Sequence, residues 1–382
     1  MKIIHISQNY IDGWGYQENL LPLYQKKAGH DVVVISDYAH LKYTQDNELI
    51  NKILAKGNMY EYDEVKIYRI KTFFNASSTS LFCYGLYKIL KQEQPDIIFH
   101  HNVNLSTLPI ATRYKRHHPH VKLYVDNHVD WINESKNKLW HVIFYDTLIP
   151  WIVKRIGKDV NYYIGVSPLR CQYLNKVFKV PTQKVRFLPI GCDTIGAERV
   201  IENNEELKQK YHIGKDEFVI ASGGKLNKTK GTIALIDACK DLYDNGIKLR
   251  LVLFGKIEDE ILQVATNKSW ITLLGWCNRN ITLSLLKMAD AACWPWLHTT
   301  LIEDSVAVGT PLIVKLSDNV SHFAKEQSGI FMLNGDVAEI KNAIISIREH
   351  LYEYKQNTIR ARNKYSYIKL VHSIDNESFY NY

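Results

Sequence analysis

Two acidic residues stand in a segment that could bind the hydroxyl groups of a ligand. Glu303 and Asp304 begin a short apolar run, Gly309 follows it, and Pro311 opens a strand-like stretch that reaches Val314. Glycine favours the end of a helix and proline cannot continue one, so the pattern predicts a short helix with both carboxylates in its first turn. Such an acid would face the ligand edge of an α/β sheet. A capped helix without a ligand explains this segment equally well.

A turn rich in glycine and lysine lies upstream of this helix. It follows the apolar run Phe218–Ser222 and precedes an amphipathic helix predicted over Thr232–Tyr243. A glycine such as Gly224 lets the backbone approach a phosphate, and the helix start offers free N–H groups. The cations of Lys225 and Lys230 would neutralise the negative charge of a phosphate group. The turn alone is weak evidence, but its order relative to the Glu303 segment strengthens it.

Two histidines follow predicted strands in the first half of the chain. His101 comes directly after Asp96–His100, and His128 comes just after Lys122–Asp126. Because ligands bind at the carboxyl ends of parallel strands, both histidines are expected on the ligand side of the sheet. Contact with a ligand is the favoured interpretation for His128, whereas ligand contact and a structural role are equally good for His101.

These segments resemble glycosyltransferase family 4, whose GT-B fold places two Rossmann-like domains face to face across a cleft. The resemblance implies that Glu303 holds the ribose of a nucleotide-sugar donor. It implies catalytic roles for Lys230 and for Lys225, which replaces the arginine of the family's pattern and offers a point charge instead of a bidentate fork. It also implies that His128 lies against the sugar, and it leaves His101 as a candidate on the acceptor side.

Two parts of the chain depart from the family's pattern. The loop after the first strand carries Gly13 and Gly15 with a tryptophan between them, where the family has adjacent glycines that admit the donor phosphates. A simple turn explains them equally well. A second glutamate is expected eight residues before Glu303, where this chain has Pro295. Either the following loop only packs, or three of its polar residues hydrogen-bond the donor sugar instead: His298, Thr299 and Thr300.

The length and composition suit two domains. The chain has 382 residues, 46% of them hydrophobic, which is enough for two separate cores. Strand-like and helix-like runs alternate, a pattern typical of parallel sheets covered by helices. We expect an α/β protein with an acceptor-binding Rossmann-like domain over residues 1–193 and a nucleotide-sugar-binding domain over 194–350. Residues 351–382 are predicted to form a helix and a tail that crosses back towards the first domain, and the polar stretch Asp193–Lys215 is the predicted linker with a charged helix.

Other features indicate a cytoplasmic protein without a cofactor. Met1 and Lys2 lead straight into a strand-like run, so no signal peptide is expected, and no apolar run reaches the roughly 18 residues of a membrane span. The six cysteines are scattered without CxxC spacing, which favours reduced thiols and argues against a zinc site. No acid pair stands at a strand end to hold a metal ion. We therefore expect neither a metal nor a cofactor.

The formal net charge of +8 is unevenly distributed. One basic cluster lies within residues 151–189 and directly follows the aromatic stretch Trp140–Trp151, and another lies within 113–120. Apolar and aromatic residues beside cations suit the surface of an anionic membrane. Core-facing helices with a solvated basic side are the better interpretation of either segment alone. Nucleic acid is not an expected partner, because no recognition motif accompanies the charge.

The resemblance therefore implies a metal-independent, retaining glycosyltransferase of bacterial surface-polysaccharide or cell-wall assembly, peripheral on the inner face of the membrane at most. Such an enzyme moves a sugar from a nucleotide-diphosphate sugar to a glycan or lipid-linked acceptor, and positioning and electrostatics carry most of its rate. A nucleotide-sugar-binding protein without catalytic activity is one alternative, which Pro295 supports. A GT-B epimerase is another. A phosphorylase would need a pyridoxal-binding lysine in a context that the chain lacks.

Overall fold

The computed structural model of the chain describes residues 1–44, 46–76, 79–134, 137–200 and 203–380. They form two compact units: the first comprises Met1–Pro189 and Leu370–Tyr382, and the second comprises Ile190–Lys369. Residues 201 and 202 of the predicted linker and the last two residues of the predicted tail lie outside the described ranges. Each unit is built on its own mainly parallel sheet, which confirms the predicted class, α/β with two Rossmann-like domains.

Ten strands belong to the first unit: β1 (Lys2–Ile6), β2 (Asp31–Asp37), β3 (Met59–Tyr62), β4 (Val65–Ile70), β5 (Thr72–Ala76), β6 (Thr79–Cys83), β7 (Ile97–His100), β8 (Lys122–Asn127), β9 (Tyr162–Gly165) and β10 (Val185–Phe187). Eight of them form one sheet in the order β10-β9-β8-β7-β1-β2-β4-β3, and β5 pairs with β6 as a separate hairpin. The pairs of the large sheet are parallel, except that β3 runs antiparallel to β4.

The helices of the first unit cover this sheet: α1 (Gln17–Lys27), α2 (Asn47–Ala55), α3 (Leu86–Glu93), α4 (Leu108–His117), α5 (Lys138–Trp140), α6 (Ile149–Ile156) and α7 (Pro168–Lys176). A π-helix, His141–Leu148, joins α5 to α6. The side chains of Ile4, Val33, Ile98 and Val125 are fully buried in the sheet. A strand buried on both faces needs such continuous apolar runs, which is why the sequence predicts these strands well.

The second unit holds a parallel sheet of six strands: β11 (Phe218–Leu226), β12 (Leu249–Ile257), β13 (Ile271–Leu274), β14 (Ala291–Trp294), β15 (Leu312–Lys315) and β16 (Gly329–Met332). Their order is β13-β12-β11-β14-β15-β16. The helices in chain order are α8 (Thr194–Glu198), α9 (Asn204–Lys210), α10 (Thr232–Asp244), α11 (Asp259–Ala265), α12 (Arg279–Met288), α13 (Leu301–Val308), α14 (Ser321–Lys325), α15 (Val337–Glu349), α16 (Leu351–Lys364) and α17 (Tyr367–Asp375). Helix α17 begins in this unit and ends in the first.

The structure differs from the sequence prediction in three respects. Strands β3, β5 and β6 were not predicted, because their short, partly polar sequences lack a continuous apolar run. The first unit ends at Pro189, four residues before the predicted boundary at 193. Helix α16 packs against α13 within the second unit, and the chain returns to the first unit only from Leu370. Within the described ranges, every helix is too short or too polar to cross a bilayer.

Candidate functional site

The acidic segment forms the helix that its sequence predicts. Helix α13 starts at Leu301, two residues before Glu303, and carries Glu303 and Asp304 in its first turn. It ends at Gly309, whose φ of +84° is the left-handed conformation that glycine adopts without strain. The amide of Thr310 closes the last turn by donating to the carbonyl oxygen of Ser305, at 2.9 Å. The helix therefore places Glu303 at the carboxyl edge of the second sheet.

Glu303 is buried, and only one of its two carboxylate oxygens has a hydrogen-bond partner among the described residues. Its side chain is 3% exposed, and its Oε1 accepts a hydrogen bond from Nε2 of His298 at 2.9 Å. The other oxygen, Oε2, is buried and has no hydrogen-bond partner within the described residues. Burial raises the pKa of Glu303, but the neighbouring His298 lowers it by a larger amount. The net shift of the pKa is downward, which favours the carboxylate form. A buried carboxylate oxygen without a donor is unusual in a folded protein and fits a ligand hydroxyl.

The segment predicted as a phosphate turn begins inside β11, because Gly224 and Lys225 still pair with β12, and the turn itself starts only after Leu226. Gly224 has a φ of +93°, and the short 3₁₀ turn Lys228–Lys230 leads to Gly231, which has a φ of +80°. Asn227 caps that turn by accepting a hydrogen bond from the amide of Lys230, at 3.1 Å. Helix α10 then starts at Thr232. Gly224 therefore lies within the paired strand, whereas Gly231 makes the left-handed step from the turn into α10.

The two lysines predicted to bind the diphosphate, Lys225 in β11 and Lys230 in the turn, differ in their surroundings. The side chain of Lys225 is 56% exposed, and its ammonium group lies 3.2 Å from the carboxylate of Glu258. Lys230 is partly buried and forms no ion pair with a carboxylate of the described residues. Its burial, and then the nearby charge of Lys225, lower its pKa. A partly buried cation without a counter-ion is poised to bind an anion.

The phosphate turn and the start of α13 lie next to each other. A Cβ atom placed on Gly224 would lie 3.5 Å from Cδ1 of Leu301 and 3.8 Å from Oγ1 of Thr299. One placed on Gly231 would clash with the loop before α13, at 2.9 Å from Cβ of Pro295. The structure therefore brings the glycines, the Thr299 hydroxyl and the helix of Glu303 into one region of the second unit. Thr300 occupies the N-cap position, but its side chain forms no capping hydrogen bond.

Sequence reasoning missed an ion-pair network beneath this region. The guanidinium group of Arg279 donates to Asp193 at 2.7 Å and to Asp304 at 2.9 Å. Although burial lowers the pKa of Arg279, the two carboxylates raise it above its usual value. The network ties α13 to the cap of α8, where Asp193 accepts from the amide of Gly196 at 2.8 Å. Only the tertiary fold joins these residues, so no local pattern could have revealed the network.

An exposed tryptophan also escaped the sequence prediction. Trp276 lies two residues after the end of β13, at the carboxyl edge of the second sheet, and its side chain is 83% exposed. A large aromatic side chain left in solvent at the ligand edge of an α/β sheet is a surface on which a ring can stack. The signal that could have found it is its place directly after a predicted strand.

In the first unit, one carboxylate joins the two predicted histidines. Oδ2 of Asp126 accepts a hydrogen bond from Nδ1 of His101 at 2.7 Å and one from Nε2 of His128 at 3.2 Å. Oδ1 accepts from the backbone amide of Asn102 at 2.9 Å, and Oδ1 of Asn102 accepts from the amide of His128 at 3.1 Å. Asp126 is fully buried, and the histidines lower its pKa far below the usual range although burial opposes them.

The charge of Asp126 controls the partly exposed ring of His128. Burial lowers the pKa of His128, but the attraction and hydrogen bond of Asp126 outweigh this effect and raise it above 6.5. Glu18 also raises it, and Arg170 opposes the rise. Asp126 therefore favours the protonated form of the His128 ring.

His101 is enclosed by a chain of hydrogen bonds. It is 2% exposed, and its Nε2 lies 3.0 Å from Nδ1 of His5, whose Nε2 lies 2.5 Å from the side-chain amide of Gln25. Burial, together with the proximity of His101, lowers the pKa of His5 to about 3, so His5 is neutral. Both ring nitrogens of His101 are thus engaged within the protein, and its observed role is to hold Asp126.

One group in the described part of the chain has donor atoms close enough for a metal ion: Glu18, His101 and His128, within 4.8 Å of one another. The fit is poor. The ring nitrogens of His101 already bind Asp126 and His5, and a metal ligand must offer a free lone pair. The trio therefore lacks the third free donor that a stable site requires.

The glycine loop between β1 and α1 has one residue in a left-handed conformation. Gly13 has a φ of +80°, whereas Gly15 is outside the left-handed region. A Cβ atom on Gly13 would lie 3.4 Å from the hydroxyl oxygen of Tyr62. Gly13 is exposed and forms a turn in the first unit. The turn itself explains why a glycine stands there.

The folds of both units match solved proteins with the GT-B architecture. HepE of Anabaena, in complex with UDP and glucose, is 15% identical, with a TM-score of 0.66 and coverage of 99% of both chains. A glycosyltransferase from Rickettsia africae is also 15% identical, with a TM-score of 0.66 and coverage of 99% of this chain and 97% of that one. A UDP-GlcNAc 2-epimerase from Neisseria meningitidis, bound to UDP-GlcNAc, is 12% identical, with a TM-score of 0.62 and coverage of 98% and 99%.

The sequence also matches two protein-family models, one in each half of the chain. Residues 23–195 match Glycosyltransferase Family 4, and residues 203–364 match Glycosyl transferases group 1. No curated protein matches the sequence. Fold and site thus define a two-domain α/β protein of the GT-B class. Within that class, the chain belongs to the family 4-like glycosyltransferases, as its sequence predicts.

Proposed function

We propose that the protein transfers a sugar, a hexose in the simplest case, from a nucleotide-diphosphate sugar to a glycan or lipid-linked acceptor, with retention of configuration and without a metal ion. The observation that carries the proposal is the buried Oε2 of Glu303, which has no hydrogen-bond partner within the described residues. A ribose hydroxyl at this place would donate to a charged acceptor that His298 already orients. Hydrogen bonds to a charged group are among the stronger ones in proteins.

The phosphate turn supports the diphosphate half of the proposal. Lys230, partly buried and without a carboxylate partner in the described structure, would bind the leaving diphosphate together with backbone amides of the turn and of α10. Lys225 would join it after exchanging Glu258 for the ligand, because an exposed ion pair contributes little stability. Two lysines and oriented amides can neutralise the diphosphate, which is why we propose a metal-independent reaction.

The reaction requires two bond changes at the anomeric carbon. The bond from that carbon to the diphosphate oxygen breaks, and the nucleoside diphosphate leaves with the electron pair. The acceptor hydroxyl oxygen bonds to the same face of the carbon, and its proton passes to the departing diphosphate. Charge develops on the leaving group, so a fixed cation such as Lys230 lowers the barrier. No nucleophile from the protein is needed in this scheme.

Other residues are assigned to the donor on weaker grounds. We propose that the protonated ring of His128 in the first unit hydrogen-bonds the sugar, as the family resemblance implies, and that the loop with Gly13 and Gly15 admits the phosphates. Thr299 and Thr300 are proposed to contact the sugar where the family's second glutamate is missing. The exposed ring of Trp276 is proposed to stack on the nucleobase. HepE was solved with UDP, so uridine is the first base to test.

A panel of UDP-, GDP- and ADP-sugars tests the proposal directly. The full chain is incubated with each one, with and without a glycan or lipid-phosphate acceptor, and nucleotide release and product anomers are followed by NMR. Transfer or slow hydrolysis with retained configuration is expected for one donor. Epimerisation of the sugar without net nucleotide release would instead assign the epimerase alternative. Tight nucleotide binding without turnover would assign a catalytically inactive binding protein.

We further propose that the acceptor is presented at an anionic membrane surface. In the segment from α5 to α6, Leu139 is 71% exposed, Val142 is 55% exposed and Trp151 is 57% exposed. The guanidinium carbon of Arg155 lies 5.7 Å from the centroid of the Trp151 ring. Phe144 is buried in the core, so only part of the predicted aromatic segment is available. Exposed apolar side chains beside cations match an interface of anionic headgroups and acyl chains.

A further inference from the structure

The second unit contains a cavity of about 540 Å³ that shares no lining residue with the phosphate turn or with the loop before α13. It lies where α8, the ends of α12, α13 and α16, and the start of α17 come together. Its volume is in the range of pockets that hold small organic molecules. The residues that line it are Thr194, Ala197, Glu198, Lys287, Val308, Arg362, Asn363, Ser366, Ile368 and Lys369.

The charges of this cavity are unbalanced. It is lined by three cations, Lys287, Arg362 and Lys369, and by a single acid, Glu198. In the described part of the chain, no carboxylate lies within ion-pair distance of any of the three cations. Like charges gathered around one concave surface repel one another and favour a bound anion.

The helix dipoles favour two of these cations, Lys287 and Arg362, but within the described residues only Lys287 also has a hydrogen-bond acceptor for its charged group. Lys287 lies in the last turn of α12, where a cation is favourable, and its Nζ donates to the carbonyl oxygen of Val200 at 2.9 Å. Arg362 also lies in a last turn, that of α16, but its Nε is buried and has no acceptor among the described residues. Lys369 is the third residue of α17, where the helix dipole disfavours a positive charge.

An anion in the cavity would resolve both anomalies. It would accept the hydrogen bond that Nε of Arg362 lacks, and it would offset the charge of Lys369 while facing the positive end of α17. The remaining walls are partly apolar, with Ala197, Val308 and Ile368, and so can contact an organic group. We infer that this cavity is a second anion site, separate from the proposed donor site, which binds the phosphate group of a small phosphorylated molecule.

Calorimetry on the full chain tests this inference with two probes, inorganic phosphate and glucose 6-phosphate. Arg362→Gln and Lys369→Gln should each weaken binding at least tenfold. Arg360→Gln removes the same charge from the same helix outside the cavity, and it should leave the affinity unchanged. Tighter binding of the ester than of phosphate assigns the cavity to a phosphorylated metabolite, whereas equal affinities assign it to the free ion. Circular dichroism and the thermal midpoint show that each variant is folded.

Three results would overturn the inference. The first is that the wild-type protein binds neither probe. The second is that both cavity variants bind as tightly as Arg360→Gln. The third is that Lys230→Ala alone abolishes binding, which would place the phosphate in the turn after β11 instead. The outcome does not depend on the proposed transferase activity, because binding is measured without a donor.

Discussion

Nε2 of His298 lies 2.9 Å from Oε1 of Glu303, so the histidine orients the carboxylate and leaves its second oxygen for another donor. The structure thereby gives His298 a more definite role than the sequence did. The sequence predicted a contact with the donor sugar, whereas the ring is seen to support the residue expected to bind ribose. A ligand that completes the hydrogen bonding of Glu303 also removes the cost of an unsatisfied buried oxygen.

Replacing Glu303 by glutamine should weaken donor binding roughly tenfold or more, because a hydrogen bond to a charged group contributes about 1.5–3 kcal/mol. Titration calorimetry with free UDP measures the effect. Glu326→Gln is a matched control, since it removes a carboxylate that pairs with Lys364, and it should bind UDP like the wild type. Equal affinity in the two variants would mean that Glu303 has only a structural role.

Replacing Lys230 by alanine should reduce turnover by orders of magnitude while the fold persists, because a fixed cation at the leaving group contributes a few kcal/mol to lowering the barrier. Initial rates with the best donor of the panel provide the measurement. Lys228→Ala is the control: this lysine lies in the same turn but pairs with Glu260 at 3.1 Å. If Lys230→Ala turned over as fast as Lys228→Ala, the diphosphate would have to bind elsewhere.

The Asp126–His128 pair predicts a measurable pKa. NMR titration of the His128 ring should give a value above 6.5 in the wild type, and Asp126→Asn should bring it below the wild-type value because burial then acts without the carboxylate. Asp159→Asn removes a carboxylate that pairs with Arg116 instead, and the titration should not change. A His128 pKa that is the same in all three proteins would contradict the electrostatic assignment.

The same pair predicts how stability depends on pH. Because the pKa of His128 is raised in the folded state, its protonation stabilises the fold fully below about pH 6.5, and this contribution disappears as the pH rises through the folded-state pKa. The difference in free energy of unfolding between wild type and His128→Gln should therefore be larger at pH 6 than at pH 9. Urea unfolding at both pH values provides the test, and a difference that grows with pH would have the wrong sign.

Membrane association should depend on charge. The protein should sediment with anionic vesicles and less so at high salt, since screening acts within about 8–10 Å under near-physiological conditions. Substituting glutamine for Lys154, Arg155 and Lys158 should weaken this binding. The control, glutamine at Lys208, Lys210 and Lys215, makes the same charge change in the second unit. Equal sedimentation with neutral and anionic vesicles would remove the evidence for a charged membrane surface.

The sequence predicted the parallel strands because burial on both faces demands apolar runs such as Leu249–Phe254. It did not reveal β3, whose residues alternate between exposed and partly buried at the edge of the sheet. The strands β11 and β12 extend beyond their apolar portions to Leu226 and Ile257, since the two strands continue to pair in register. Pairing of this kind depends on a partner strand that no local window contains.

The candidate site was predicted unevenly for the same reason. Glu303, Gly224 and Lys230 lie in local patterns with a recognisable order. The bridging role of Asp126 was missed, although two signals were present. Asp126 and His128 are two residues apart at a strand end, and the pairing of His100 with Val125 brings His101 beside Asp126. The contacts of Arg279 and the partner of Lys225 arise only from tertiary packing.

The segment after Leu370 closes the first unit rather than the second. The hydroxyl of Tyr124 donates to Glu377 at 2.8 Å, and the amide of Tyr380 donates to the carbonyl oxygen of Phe187 on the edge strand at 3.0 Å. A nascent chain leaving the ribosome therefore cannot finish the unit that it starts first. The second unit, continuous in sequence, can complete its sheet earlier, while the edge of β10 stays uncovered until residues 370–380 have been synthesised.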